Sequence, residues 1–279
     1  MTYEHIRFDV ADRVATLTLD RPEKRNAWNR QMGLEIRDAL QQADERDDVR
    51  AVVVTGAGKD FCVGADLEGA GKVFEQARAS EQETGAPRLN LQAWNVRKPV
   101  IAALNGAVAG VGATLPLQWD IRLGGESTRI TFVFVKRGLV PEAASTWFLP
   151  RIVGMSRAAE LLLTGRLLNA REALEYGLVS RVLPDAELLP AAQRLAREIA
   201  EQTAPVAVAL TKRMLWANAS ELDPAAAEAL DSRVFAWTTQ SPDAREGIRS
   251  FLEKRPADWK MSATTDLPAL ETFRPKPAP

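Results

Sequence analysis

Two runs of small residues restrict what this chain can fold into: Phe61-Cys62-Val63-Gly64-Ala65-Asp66-Leu67 and Asn105-Gly106-Ala107-Val108-Ala109-Gly110-Val111-Gly112-Ala113-Thr114. Each follows a β-rich apolar stretch, Ala51-Val52-Val53-Val54-Thr55 and Pro99-Val100-Ile101-Ala102-Ala103-Leu104, so each leaves the end of a buried strand. Where side-chain bulk is missing, backbone N–H groups can be approached closely, and two of them aimed at one point make an oxyanion hole. Glycines there also serve tight turns and close packing of strand on helix, so the runs taken alone leave both uses open.

Around these runs the pattern is α/β. Ile6-Arg7-Phe8-Asp9-Val10 and Val14-Ala15-Thr16-Leu17-Thr18-Leu19 alternate apolar and polar residues and read as a β-hairpin. Asn29 is placed to cap a helix through Met32, Leu34, Ile36 and Leu40. Ala113 to Trp119 reads as the start of a helix that tolerates Pro116, and Ile121-Arg122-Leu123 and Ile130-Thr131-Phe132-Val133-Phe134-Val135 read as strands. From Thr146 onward the periodicity is largely helical: 157–164, 170–176, 190–202, 205–217, 223–238 and 242–254. The polar stretch from Gly69 to Asn90 reads as a mobile segment beside the first glycine run. A core over 1–200, a helical region over 201–262 and a proline-rich flexible tail over 263–279 are expected.

Composition removes several mechanisms. With 36 basic and 37 acidic residues among 279, no overall field favours nucleic acid or a membrane surface. The single cysteine, Cys62, and the absence of an apolar leader point to a reducing cytoplasm, and no apolar stretch is long enough to span a bilayer. His5 is the only histidine, which disfavours Ser-His-Asp and Cys-His arrangements, and no zinc-ligand cluster is apparent. Gly110 to Leu115 half-matches a dinucleotide fingerprint but lacks its last glycine.

The glycine runs and the fragments around them resemble the crotonase (enoyl-CoA hydratase/isomerase) superfamily, almost end to end. In family order come Leu19-Asp20-Arg21-Pro22 with Asn26-Ala27, Phe61 to Leu67, Lys98 to Gly106, and Trp119-Asp120-Ile121-Arg122. Gly138-Leu139-Val140-Pro141, Leu163-Thr164-Gly165-Arg166, Ala173 to Val179 and Glu246 to Arg255 follow. The resemblance implies a spiral of ββα units, a C-terminal helical region that builds trimers or a dimer of trimers, and an acyl-CoA thioester substrate with no separate cofactor. It places oxyanion-hole N–H groups on Ala65 and Val111. It places contacts to CoA at Lys24, Arg25, Val63, Ala65, Asp66 and Leu67, and at Phe251 and Lys254, often of a neighbouring subunit. Lys24 and Arg25 also read as a solvated turn, Asp66 as a loop brace, and Phe251 and Lys254 as part of an ordinary amphipathic helix.

The chain departs from the hydratase pattern at both glutamates that flank the double bond. In register, the first position holds Thr114 and the second Phe134. Glu142, after Pro141, matches instead the single catalytic acid of one branch of enoyl-CoA isomerases and of ring-epoxide acyl-CoA isomerases, with Phe132, Phe134, Trp147 and Phe148 as candidate walls. One carboxylate suffices for a 1,3-shift of a double bond. Glu142 is equally suited to the N-terminus of a helix. The leading expectation is a double-bond shift; hydration of a 2-enoyl-CoA and a non-catalytic acyl-CoA-binding module stand beside it.

Overall fold

Asp12 and Arg13 both adopt left-handed backbone, with φ of 50° and 61°, and turn β1 (Ile6–Ala11) back antiparallel onto β2 (Val14–Leu19). This hairpin opens a six-stranded sheet in a computed structural model that describes residues 3–67 and 95–274. The sheet runs β1-β2-β3-β4-β6-β9, with β3 (Ala51–Gly56), β4 (Val100–Leu104), β6 (Ile121–Gly125) and β9 (Arg181–Leu183) all parallel to β2. A small second sheet joins β5 (Ala107–Ala109), β7 (Arg129–Thr131) and β8 (Leu167–Asn169). Twice in succession the chain adds a strand to the large sheet, one to the small sheet and then a helical turn: β4, β5 and α2 (Val111–Thr114), then β6, β7 and a 3₁₀ helix at Val133–Arg137.

The central strands are buried on both faces, and the period of two sorts their side chains. Val52, Val54, Ala102 and Leu104 join Met32, Ile36 and Leu40 of α1 (Arg30–Glu45), whose start is capped by Asn29 Oδ1 accepting from Met32 N at 2.9 Å. Ala51, Val53, Ile101, Ala103 and Leu123 face the other way, onto Leu188, Ala192 and Ala196. Before the helix carrying those three residues come α3 (Ser145–Val153), α4 (Met155–Thr164) and α5 (Ala170–Glu175), and the helix itself is α6 (Asp185–Gln202). Among the described residues no helix is long and apolar enough to cross a membrane.

Two expectations need correction. The strand expected over Ile130–Val135 ends at Thr131, because both its partners are three residues long and Gly110 N, donating to Thr131 O at 3.1 Å, closes the ladder. The apolar run then curls into the 3₁₀ helix, keeping Phe132 and Phe134 buried. The tail expected to be flexible from 263 is instead packed as far as the described residues reach, to Arg274. Leu270 and Phe273 are buried against Val206, Leu210, Leu230 and Val234. Those four belong to α7 (Pro205–Asn218) and α8 (Pro224–Thr238). The expectation for Gly69–Asn90 lies outside the described residues.

Helix α7 is tied to the amino edge of the parallel strands by a buried ion pair. Lys212 Nζ, 5% exposed, donates to Asp120 Oδ2 at 2.7 Å and to Lys98 O at 2.9 Å, and Asp120 also accepts from Val100 N at 2.7 Å. Burial lowers the Lys212 pKa while Asp120 works to raise it. Truncation by Lys212→Ala leaves a half-buried carboxylate without its cation and is expected to cost about 3 kcal/mol in urea denaturation. An unchanged midpoint would show the pair to be dispensable.

Candidate active site

The two glycine runs leave the carboxyl ends of β3 and β4, the edge where open parallel sheets carry their ligands. Beyond the sheet they stay in register: Phe61 N donates to Asn105 O at 2.7 Å, Cys62 N to Ala107 O at 3.1 Å, and Ala109 N to Cys62 O at 2.9 Å. Glycine is required where the strands touch. A Cβ on Gly106 would stand 2.1 Å from Lys59 O, and one on Gly112 would stand 2.5 Å from Cys62 O. Gly64 and Gly110 face one another with φ of 103° and 54°, and a Cβ on Gly110 would meet Gly64 Cα at 3.5 Å.

The residues that follow this contact are Ala65 and Val111. A parallel bridge between Trp28 and Ala65 uses Gly64 O and Asp66 N, each bonded to Trp28 at 2.8 Å, and so turns the Ala65 N–H to the opposite side. Val111 opens α2, a position with no intrahelical acceptor. Among the described residues neither N–H has an acceptor, and a thioester oxygen between them would supply one.

Glu142 reaches the same region from the far side of α2. Thr114, the last residue of α2 and fully enclosed, donates its hydroxyl to Glu142 Oε1. Gln118, 1% exposed at the end of the 3₁₀ turn Leu115–Gln118, donates Nε2 to Ala143 O at 3.0 Å. Ala143 and Ala144 are both left-handed, with φ of 54°, a geometry that costs an alanine roughly 1–2 kcal/mol and must be held by its surroundings. Helix α3 starts only at Ser145, so Glu142 lies outside its first turn rather than serving as its N-terminal acid. Phe134 stands buried at the second hydratase position, and Phe132 is buried beside it in sequence. Trp147 and Phe148 line a cavity of about 200 Å³ with Trp216 of α7, and Glu142 is not among its walls.

The candidate CoA contacts divide. Lys24, Arg25, Val63, Asp66 and Leu67 gather with Ala65 at the carboxyl edge, because the 21–28 turn is clasped to 57–66. Asn26, with no exposed surface, donates to Ala57 O at 2.9 Å and Asp60 O at 2.7 Å and accepts from Arg21 N at 2.8 Å. Arg25 Nε donates to Asp60 Oδ2 at 2.7 Å, which raises the Arg25 pKa. Burial works to raise the Asp60 pKa, but the hydrogen bonds from Arg25 and from Ala107 N outweigh it and leave it lowered. Asp66 braces the loop through Arg21 Nη2 at 2.9 Å. Asn26, Asp60, Thr114 and Gln118 thus hold the site together. Of these the sequence marks Asn26 only as part of a family fragment, and Thr114 only as the end of the second glycine run and as the residue at the first hydratase glutamate position.

Phe251 and Lys254 are not brought to the site within one protomer. Phe251 is 81% exposed on α9 (Pro242–Glu253), and Lys254 caps its end. Gly247 of α9 packs against Trp259. Trp259 in turn lines a cavity of about 260 Å³ with Arg13, Arg50 and Pro99, which precede β2, β3 and β4, so α9 hangs from the opposite edge of the sheet. That cavity is the better enclosed one, yet it holds neither glycine run nor Glu142.

Two N–H groups without an acceptor among the described residues, on neighbouring glycine runs, with a carboxylate bonded to the end of α2, are compatible with an acyl-thioester type of site. The family model described as Enoyl-CoA hydratase/isomerase matches residues 9–262. The chain is 40% identical over 247 residues to an enoyl-CoA hydratase of Alternaria alternata, covering 88% of this chain and 82% of that protein. It is 36% identical over 256 residues to the 1,2-epoxyphenylacetyl-CoA isomerase of Escherichia coli, covering 90% and 97%. Among solved structures, the enoyl-CoA hydratase from Bacillus anthracis superposes with a TM-score of 0.85 at 34% identity, covering 92% and 99%. This chain belongs to the enoyl-CoA hydratase/isomerase family, has the crotonase fold and is an enzyme of that type.

Cys62 has no part in the chemistry outlined here. It is 1% exposed, and burial pushes its thiol pKa up to about 11. At pH 8 the folded protein is therefore expected to be inert to a disulfide reagent and to release one equivalent of thiol per chain only on denaturation. Rapid labelling of the native protein would contradict this.

Proposed function

We propose that the protein shifts the double bond of an enoyl-CoA through a dienolate, with Glu142 as the only proton carrier. The thioester carbonyl oxygen is held by the N–H groups of Ala65 and Val111. Glu142 takes a proton from C2, the negative charge moves onto that oxygen, and the same carboxyl returns the proton at C4. Coenzyme A enters as part of the substrate. The observation that carries this reading is the hydrogen bond from Thr114 to Glu142: the first hydratase position holds a hydroxyl that supports a carboxylate, in place of a second carboxylate. Phe134 at the other position leaves hydration without its usual pair. A relative named 1,2-epoxyphenylacetyl-CoA isomerase supports isomerisation of an acyl-CoA as the reaction class.

Hydration is the second reading, supported by relatives named as hydratases, with Glu142 acting on a bound water. The two separate on 3-hexenoyl-CoA and 2-hexenoyl-CoA. A shift converts the former into a conjugated thioester, with a gain in absorbance, whereas hydration removes the absorbance of the latter. Glu142→Gln is expected to lower kcat by about 10²–10⁴-fold in either case. Wild-type turnover in this variant would sink both readings.

We also propose that the C-terminal helical region assembles the chain into a trimer or a dimer of trimers and carries Phe251 and Lys254 to a neighbour's CoA. Exposed Ile248, Phe251 and Leu252 on α9 and Phe235 on α8 support it. Light scattering behind gel filtration should give three or six times the protomer mass, and a strictly monomeric protein would refute the assembly.

A further inference from the structure

The helical run from Val111 to Gln118 meets the Glu142 loop twice, and at its other end it presents the Val111 N–H. Thr114 is fully buried, and its hydroxyl lies 3.4 Å from Val111 O as well as against Glu142 Oε1. An ionised carboxylate can only accept, so the hydroxyl proton is committed to Glu142. Threonine is branched at Cβ and held within α2, so its Oγ1 has little freedom to follow a wandering partner. The backbone behind the carboxylate is fastened separately, by Gln118 to Ala143 O at 3.0 Å and by Ser145 N to Glu142 O at 3.0 Å.

We infer that Thr114 is a positioning residue for Glu142: it pins Oε1 to the segment that carries the Val111 N–H, so that the carboxyl moves the proton at a set distance from the thioester oxygen. The inference rests on the proton-shuttle reading above. A shuttle that serves two carbons while the oxyanion stays still needs such a reference point, because misplacement by about 1 Å can cost on the order of 10²-fold in rate. Val111 and Thr114 share one turn of helix, so the oxygen-holding and proton-moving groups are set by the same short piece of backbone.

The test compares Thr114→Val and Thr114→Ser on 3-hexenoyl-CoA. Thr114→Val is expected to lower kcat by about 10- to 100-fold while KM changes by less than about threefold, and Thr114→Ser, which keeps the hydroxyl, to stay within about threefold of wild type. In the Glu142→Gln background Thr114→Val should produce no further loss, the signature of two residues acting as one unit. Should Thr114→Val fail to fold, judged by its thermal melt, Thr114→Ala takes its place with the same expectation. Wild-type kcat in the hydroxyl-free variant, an equal defect in Thr114→Ser, or an additive loss on Glu142→Gln would overturn the positioning role and leave the shuttle standing. Full activity of Glu142→Gln itself, or no turnover by wild type, would overturn the shuttle and this inference with it.

Discussion

The parallel contact between 61–64 and 105–110 governs the site. Backbones that leave adjacent parallel strands ordinarily diverge, since each must turn to meet its own helix. Here they remain hydrogen-bonded past the sheet because Gly64 and Gly110 touch and Gly106 and Gly112 leave room for Lys59 and Cys62. Any side chain at 106 or 112 would have to displace backbone, so the separation of the Ala65 and Val111 amides follows from steric exclusion as much as from attraction. The chemistry proposed for the carbonyl is in this sense a product of the main chain.

Charge is handled economically around that contact. Asp60 is buried, yet it ties its loop to two other segments: the 21–27 turn, through Arg25 on its carboxylate and Asn26 on its backbone oxygen, and the second glycine run through Ala107 N. Glu142 accepts from a neutral hydroxyl, that of Thr114, and two left-handed alanines follow it. Arginines meet the acids that brace, Asp60 and Asp66, and a threonine meets the acid proposed to react.

Periodicity made much of the framework readable. The hairpin alternates, Asn29 precedes a helical stripe, and the β3 and β4 runs are apolar on both faces, so these elements appear where the residues predict them. Ala107–Ala109, Leu167–Asn169 and Arg181–Leu183 are too short to carry a period and form only because partners await them. Ile130–Val135 has strand composition, but its ladder ends before its apolar residues do. Leu270 and Phe273 were masked by the prolines around them. At the site, the glycine runs could be read directly, whereas Ala65, Val111 and Glu142 stand out only through the family resemblance, and their roles are proposals. That Thr114 meets Glu142 could not be read, since contact across 28 positions leaves no local pattern. Nor does the helical stripe of α9 reveal that it hangs from the far edge of the sheet.

Asn26 has a further consequence for how the site is built. Its enclosed amide ties the 21–27 turn to the 57–60 loop, and the next residues deliver Trp28 to the bridge that orients Gly64 and Asp66. Arg21 N, Trp28 N and Asp66 N are each engaged within this clasp, and Ala27, Phe61 and Cys62 are buried beneath it. One side-chain amide thereby sets the path of the main chain that carries Ala65.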